Sequence, residues 1–226
     1  MASLSKPLVI VNLKTYLEGT GNNARELAQI AKGIIERTSV NIALAPQFTD
    51  LSLLAQGTSV PLYAQHIYPI APGSHTGHIL PEAVRGAGAI WTLINHSERR
   101  LPFETVDATI QRAKEVGLLS CVCANTPRAA QRIASYRPDI VAVEPPELIG
   151  TGIPVSQAQP EVITSTVTLV REVNADVTIL CGAGITRGED VAAALKLGTE
   201  GVLIASGIVK AADRRAALLD LVTPLQ

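Results

Sequence analysis

The chain has 226 residues, 47% of them hydrophobic, 3% aromatic and 17% charged, with mean hydropathy +0.26. These figures exclude a disordered or fibrous protein and imply a large core of Val, Ile, Leu and Ala, suited to parallel strands buried on both faces. Nineteen basic against twenty acidic residues leave a net charge of −1 with no basic run or acidic tail, so nothing is built to neutralise a nucleic-acid backbone or an anionic membrane. The longest apolar runs are of strand length. Met1 to Pro7 carries one Lys and no signal-type stretch, so a cytoplasmic protein is expected.

Leu8–Val11 reads as the first buried strand. Leu27, Ile30, Ala31, Ile34 and Ile35 follow at i, i+3, i+4, i+7 and i+8, the apolar stripe of a helix. Ile42–Ala45 is a second strand, and Leu62–Gln65 a weaker third that depends on its place in the series. Residues 66 to 80 form a long loop with Pro69, Pro72, Gly73 and Gly77, and long ordered loops usually have a function. Ile90–Ile94 is the fourth strand. Val106, Ile110, Ala113 and Val116 make another helical stripe, closed by Gly117. After a fifth strand, Leu118–Val122, Thr126 and Pro127 have the form of an N-cap and first-turn proline. Ile140–Val143 and Val177–Leu180 are the sixth and seventh strands. An Ala-rich helix from about Glu189 ends at Gly198, and Val202–Ala205 is the eighth strand. Strands alternating with helices, with no biased linker, predict parallel βα units. An open doubly wound sheet also fits. The count of eight favours a single (β/α)₈ TIM-barrel domain over residues 1–226.

In such a barrel the site is built at the C-terminal strand ends. Strand one ends in Asn12-Leu13-Lys14, strand four in Asn95-His96-Ser97-Glu98-Arg99-Arg100, and strand six in Glu144-Pro145-Pro146-Glu147. A lysine, a histidine and a carboxylate therefore converge on one mouth. Asn12 and Lys14 alternate, which points both into the interior, where a cation wants an anionic ligand or a protein carboxylate. Ser97-Glu98 has the form of a short helix opening. Its N-terminus would disfavour imidazolium and keep His96 neutral. Arg99 and Arg100 are either surface charges or partners of nearby carboxylates. The prolines after Glu144 stiffen one side of that segment, while Gly150 and Gly152 loosen the other, a pattern that fits a lid. Gly182-Ala183-Gly184 and Ala205-Ser206-Gly207 bring backbone N–H groups to the mouth, where barrels commonly bind phosphate. Gly188 comes one place too late for a G-x-G-x-x-G dinucleotide fingerprint.

Three further features are read as structural. Cys121, Cys123 and Cys181 are odd in number, and Cys-x-Cys matches neither a zinc knuckle nor a redox pair, so reduced thiols packed in strands are expected. His75 and His78 lack an accompanying carboxylate or thiol, so no metal is expected. Ser206 lacks a G-x-S-x-G elbow.

Asn12-x-Lys14, His96-Ser97-Glu98-Arg99-Arg100, and Glu144-Pro145 followed by Ile149-Gly150-Thr151-Gly152 resemble the triosephosphate isomerase family, in order and spacing, from Val9 to Val209. The short length, Gln65-His66, the proline pair and Ala205-Ser206 resemble its archaeal branch. The resemblance implies an isomerase without metal or cofactor, acting on a small phosphorylated triose in glycolysis and gluconeogenesis. Glu144 would be the base, His96 the neutral electrophile and proton shuttle, and Lys14 the cation for developing charge, with Asn12 orienting the substrate. Ile149, Gly150, Gly152, Gly184, Ala205 and Ser206 would hold the phosphate, and Glu98 would be a buried supporting group. The 66–80 loop would insert into a partner subunit with Thr76 at its tip, giving a homodimer or homotetramer.

The chain departs from the common family pattern at Asn95 (usually Gly), Pro146-Glu147-Leu148 (usually Val-Trp-Ala), Ile153 (usually Lys), Ala205-Ser206 (usually Gly-Gly) and His78 (usually Glu). Another phosphosugar barrel is the competing enzyme reading, but an epimerase should show metal-binding His and Asp at strand ends. An aldolase should carry a Schiff-base Lys on strand six, where position 144 is Glu. A non-catalytic phosphate-binding barrel predicts loss of Lys14, His96 or Glu144, and all are present.

Overall fold

The computed structural model describes residues 8–145, 148 and 152–226. Strands and helices alternate along the chain: β1 (Leu8–Asn12), α1 (Asn22–Thr38), β2 (Asn41–Ala45), α2 (Leu51–Gly57), β3 (Tyr63–Ala64), α3 (Pro81–Gly86), β4 (Trp91–Ile94) and α4 (Phe103–Glu115). The second half continues with β5 (Leu119–Ala124), α5 (Pro127–Ser135), β6 (Ile140–Val143), α6 (Val155–Ala158), α7 (Pro160–Val173) and β7 (Thr178–Gly182). It ends with α8 (Gly188–Lys196), β8 (Gly201–Ile204), α9 (Ser206–Val209) and α10 (Arg214–Val222).

The eight strands form one sheet in the order β2-β1-β8-β7-β6-β5-β4-β3, every pair parallel. A parallel bridge between Leu44 and Leu62 brings β2 to the foot of β3, and Leu44 N–H donates to Pro61 O at 3.0 Å. That joins the ends of the sheet into a TIM barrel. The third strand is shorter than Leu62–Gln65. Leu62 makes only the isolated bridge, and Gln65 leaves the ladder to bond elsewhere.

Burial on both faces explains the continuous apolar runs. Leu8, Ile10, Tyr63, Trp91, Leu93 and Cys121 belong to the cluster that fills the barrel, with Tyr63 and Trp91 stacked at 5.2 Å. The residues between them face outward under the helices, Val9 and Val11 among them. On α1 the stripe Leu27, Ile30, Ala31 and Ile34 is buried against this layer, each large side chain contributing about 1.5–3 kcal/mol, while Ile35 is half-buried at its edge. Thr126 caps α5, its hydroxyl accepting from Ala129 N–H at 3.1 Å with Pro127 in the first turn. Gly117 follows α4 and Gly198 follows α8, as the sequence predicts. Among the described residues no helix is long and apolar enough to cross a membrane.

Candidate active site

The C-terminal ends of β1, β4 and β6 and the turns after β7 and β8 enclose a cleft of about 280 Å³. Asn12, Lys14, His96, Glu144, Gly152, Gly184, Ala205 and Ser206 all line it. Ile149 and Gly150, with the other lid positions Pro146, Glu147 and Thr151, lie outside the described residues. Thr76 is exposed on the 66–80 loop, away from the cleft.

Asn12 ends β1 with the inward parity of Leu8 and Ile10, and its Oδ1 accepts the backbone N–H of Lys14 at 3.0 Å. Lys14 is not on an extended segment. Its φ is 47°, so it reaches the mouth by a turn rather than by alternation. Gln65, just past β3, pins that turn by donating from Nε2 to Lys14 O and Ala45 O, both at 2.9 Å. A left-handed residue without glycine is strained, and such strain persists only where neighbours hold it.

Lys14 Nζ lies 2.7 Å from Glu98 Oε1. The lysine side chain is 11% exposed but that of Glu98 is 58% exposed, which overturns the expectation of a buried Glu98. The physical reason is local. Residues 97–99 form a turn on the rim rather than the opening of a helix, so the carboxylate lies over Lys14 from the solvent side.

The same turn, rather than a helix dipole, bears on the His96 ring. Glu98 N–H donates to His96 Nδ1 at 3.2 Å. A nitrogen that accepts an N–H carries no proton, so the neutral ring is assigned its proton on Nε2. That nitrogen lies 3.7 Å from Glu144 Oε1. Neither arginine of the segment pairs with a carboxylate among the described residues. Arg99 donates to the Tyr68 hydroxyl, and Arg100 to Asn95 O at 3.2 Å.

Glu144 is 4% exposed, and its backbone N–H donates to Ala124 O at 2.8 Å, so the residue continues β6 beside β5. Its Oε2 has no hydrogen-bond partner among the described residues. A buried carboxylate oxygen is costly to leave without a hydrogen-bond donor. Gly182 makes its space: a Cβ there would stand 2.5 Å from Glu144 Cγ. Cys121, Cys123 and Cys181 are free and buried, as expected. Burial first, and the charge of Glu144 second, push all three thiols up, so they stay protonated and supply no competing anion.

The β7–β8 side presents backbone. Ala183 and Gly184 both have φ of 73°, and a Cβ on Gly184 would come 1.8 Å from Ile153 O, so only glycine allows the two segments to touch. Asp190 Oδ2 holds the following turn by accepting from Thr186 N–H and Arg187 N–H at 2.9 and 3.0 Å. Ser206 and Gly207 open α9, where a first turn leaves its N–H groups without intrahelical acceptors. Sequence reasoning missed Tyr16, Ile185, Thr186, Leu203 and Ile204 in the cleft wall and the supporting roles of Gln65 and Asp190 behind it, and it read Gly182 as part of a backbone-donor turn rather than as the space for Glu144. Only the glycine carried a signal, standing one residue after the last apolar position of its strand. Among the described residues no group of three or more His, Cys, Asp or Glu side chains could hold a metal ion.

The family model for triosephosphate isomerase matches residues 7–224. The triosephosphate isomerase of Methanocaldococcus jannaschii is 52% identical over 215 residues, covering 95% of this chain and 98% of the relative. That of Methanobacterium bryantii is 51% identical, covering 97% of each, and that of Methanobrevibacter smithii 50% identical, covering 98% of this chain and 100% of the relative. With a family model spanning almost all of its length and relatives of this identity, the chain belongs to the triosephosphate isomerase family.

Proposed function

We propose that the protein interconverts dihydroxyacetone phosphate and D-glyceraldehyde 3-phosphate through an enediolate, as a cytoplasmic enzyme of glycolysis and gluconeogenesis. The observation that carries this reading is the buried Glu144 carboxylate 3.7 Å from His96 Nε2, with the Lys14 cation in the same cleft. Glu144 removes a proton from C1 of the ketose, and the C–H electron pair becomes the C1–C2 double bond while the carbonyl electrons move onto O2. Protonated Glu144 then returns the proton to C2, leaving the aldehyde at C1. His96 Nε2–H polarises O2 and carries a proton between O2 and O1. Lys14 and the imidazole stand where negative charge develops, which is the largest electrostatic contribution such a site can make. Asn12 fixes the Lys14 turn and orients the substrate. The phosphate takes the backbone N–H groups of the Gly184 and Ala205–Ser206 turns. No metal is required, because the carbonyl already acidifies the C–H bond.

A homo-oligomer belongs to the same reading. Leu17, three residues after Lys14, is 80% exposed, and positions 71–78 are exposed throughout. Gln65 joins the Lys14 turn to the start of the 66–80 loop, so both surfaces lie on one side of the barrel. Such a patch is suited to cover by a second copy. Sedimentation at micromolar concentration that finds only monomer would remove this part.

The activity is tested with glyceraldehyde 3-phosphate as substrate and glycerol-3-phosphate dehydrogenase as coupling enzyme. Well-folded protein should turn over, and Glu144→Gln should lose about 10³-fold or more of kcat while still binding inorganic phosphate. Absence of wild-type turnover rejects the function, and near-normal Glu144→Gln activity removes Glu144 from its role.

A further inference from the structure

His96 does not point where its strand would send it. Trp91 and Leu93 face the barrel interior and Ile94 faces the helices. A strand continued past Ile94 would place residue 95 inward and residue 96 outward, away from the cleft. The reversal occurs at Asn95, whose φ is 60°. Asparagine is among the few residues that take this conformation readily, but the side chain here does more than tolerate it. Its Nδ2 donates to Cys123 O of β5 at 2.9 Å, and its Oδ1 accepts Leu101 N–H at 2.8 Å. The residue is 6% exposed, so both bonds are shielded from water. Glycine at this place would turn the backbone equally well and leave both partners unsatisfied.

The acceptor of the first bond matters most. Backbone pairing of β4 with β5 ends at Ile94 and Val122, and the Asn95 amide supplies the donor one step beyond. The next carbonyl on β5, Ala124 O, accepts Glu144 N–H at 2.8 Å. Two successive carbonyls of one strand thus hold the residues next to and at the two reacting side chains, which face each other at 3.7 Å.

We propose that Asn95 is a positioning residue for the isomerisation: its side chain clamps the left-handed turn to β5 and so sets the His96 imidazole against Glu144 on a common rigid support. This rests on the proposed roles of His96 and Glu144. The turn also brings Glu98 N–H onto His96 Nδ1, so the clamp governs both the place of the ring and its tautomer.

Asn95→Gly keeps the backbone conformation and deletes the two bonds. Its kcat should fall by about 10-fold or more, because a small displacement of a reacting group costs rate steeply, with KM and inorganic phosphate affinity within about twofold of wild type. In a His96→Gln background the same substitution should cost almost nothing further, since the group it positions is gone. Imidazole ¹⁵N spectra should show His96 held as the Nε2–H tautomer in wild type and as a mixture in Asn95→Gly. Those spectra judge the clamp independently of turnover, so an inactive wild type would reject the proposed reaction without deciding this point. The proposal is overturned by an unchanged tautomer, by kcat within about twofold of wild type, or by an equal loss in both backgrounds.

Discussion

The two halves of the mouth work by different means. On the β1, β4 and β6 side, Lys14, His96 and Glu144 present side chains, the first held by the Gln65 amide, the second by the Glu98 N–H of its own turn and the third by a backbone bond to β5. On the β7 and β8 side, Gly184, Ala205 and Ser206 line the cleft with small side chains or none, which leaves main chain at its wall.

Substitutions should separate the two halves. After Glu144→Gln, the largest effect is expected for Lys14→Ala, which removes the cation from the cleft and its partner from Glu98 Oε1: kcat/KM in the coupled assay should fall by about 10²–10³-fold with the fold intact, as read by circular dichroism. A loss below about tenfold would show that the side-chain half does not carry the charge stabilisation. Gly182→Ala tests the seam between the halves. The added methyl meets Glu144 Cγ rather than any ligand, so kcat should drop about 10-fold while inorganic phosphate affinity is kept; the reverse pattern would place Gly182 in the phosphate half.

A pH experiment separates rim stability from mouth chemistry. His66 lies beyond β3 with its imidazole pushed down to about 4, first by burial and then by the Arg99 guanidinium. The unfolded ring takes up its proton near the ordinary 6.5, while the folded ring stays neutral until about 4. Acidification across that window therefore favours the unfolded state. The wild-type melting temperature should fall more steeply between those values than that of His66→Gln, and parallel curves would contradict the assignment. The smallest effect is expected for Ser206→Ala. If only the main chain of α9 serves the phosphate, KM should stay within about twofold of wild type, and a larger rise would bring the hydroxyl into the site.

The legibility of the chain divides along the same line. Lys14, His96 and Glu144 were readable because a charged or titratable residue directly after an apolar strand is conspicuous against its surroundings. The β7 and β8 side was readable only through its glycines and the resemblance, because a backbone N–H belongs to every residue and its direction depends on the turn. The supporting roles of Gln65 and Asp190 were not legible for a related reason. Gln65 supports the Lys14 turn from a distant segment and Asp190 the turn that opens its own helix, and residue type alone does not distinguish a buried amide or carboxylate from a surface one. Glu98 was read correctly as belonging near the site and wrongly as buried, since the turn at 97–99 was mistaken for a helix opening.

By itself the sequence determined the alternation of strands and helices, the burial of the strands on both faces and the residue types at the strand ends, because hydrophobic period and chain polarity are local properties. Only the tertiary structure decided how those residues face one another. The left-handed turn at Asn95 sets His96 against the parity of its strand, that at Lys14 takes its residue out of strand geometry, and both are held because Gln65, Asn95 and β5 supply hydrogen bonds across segments distant along the chain.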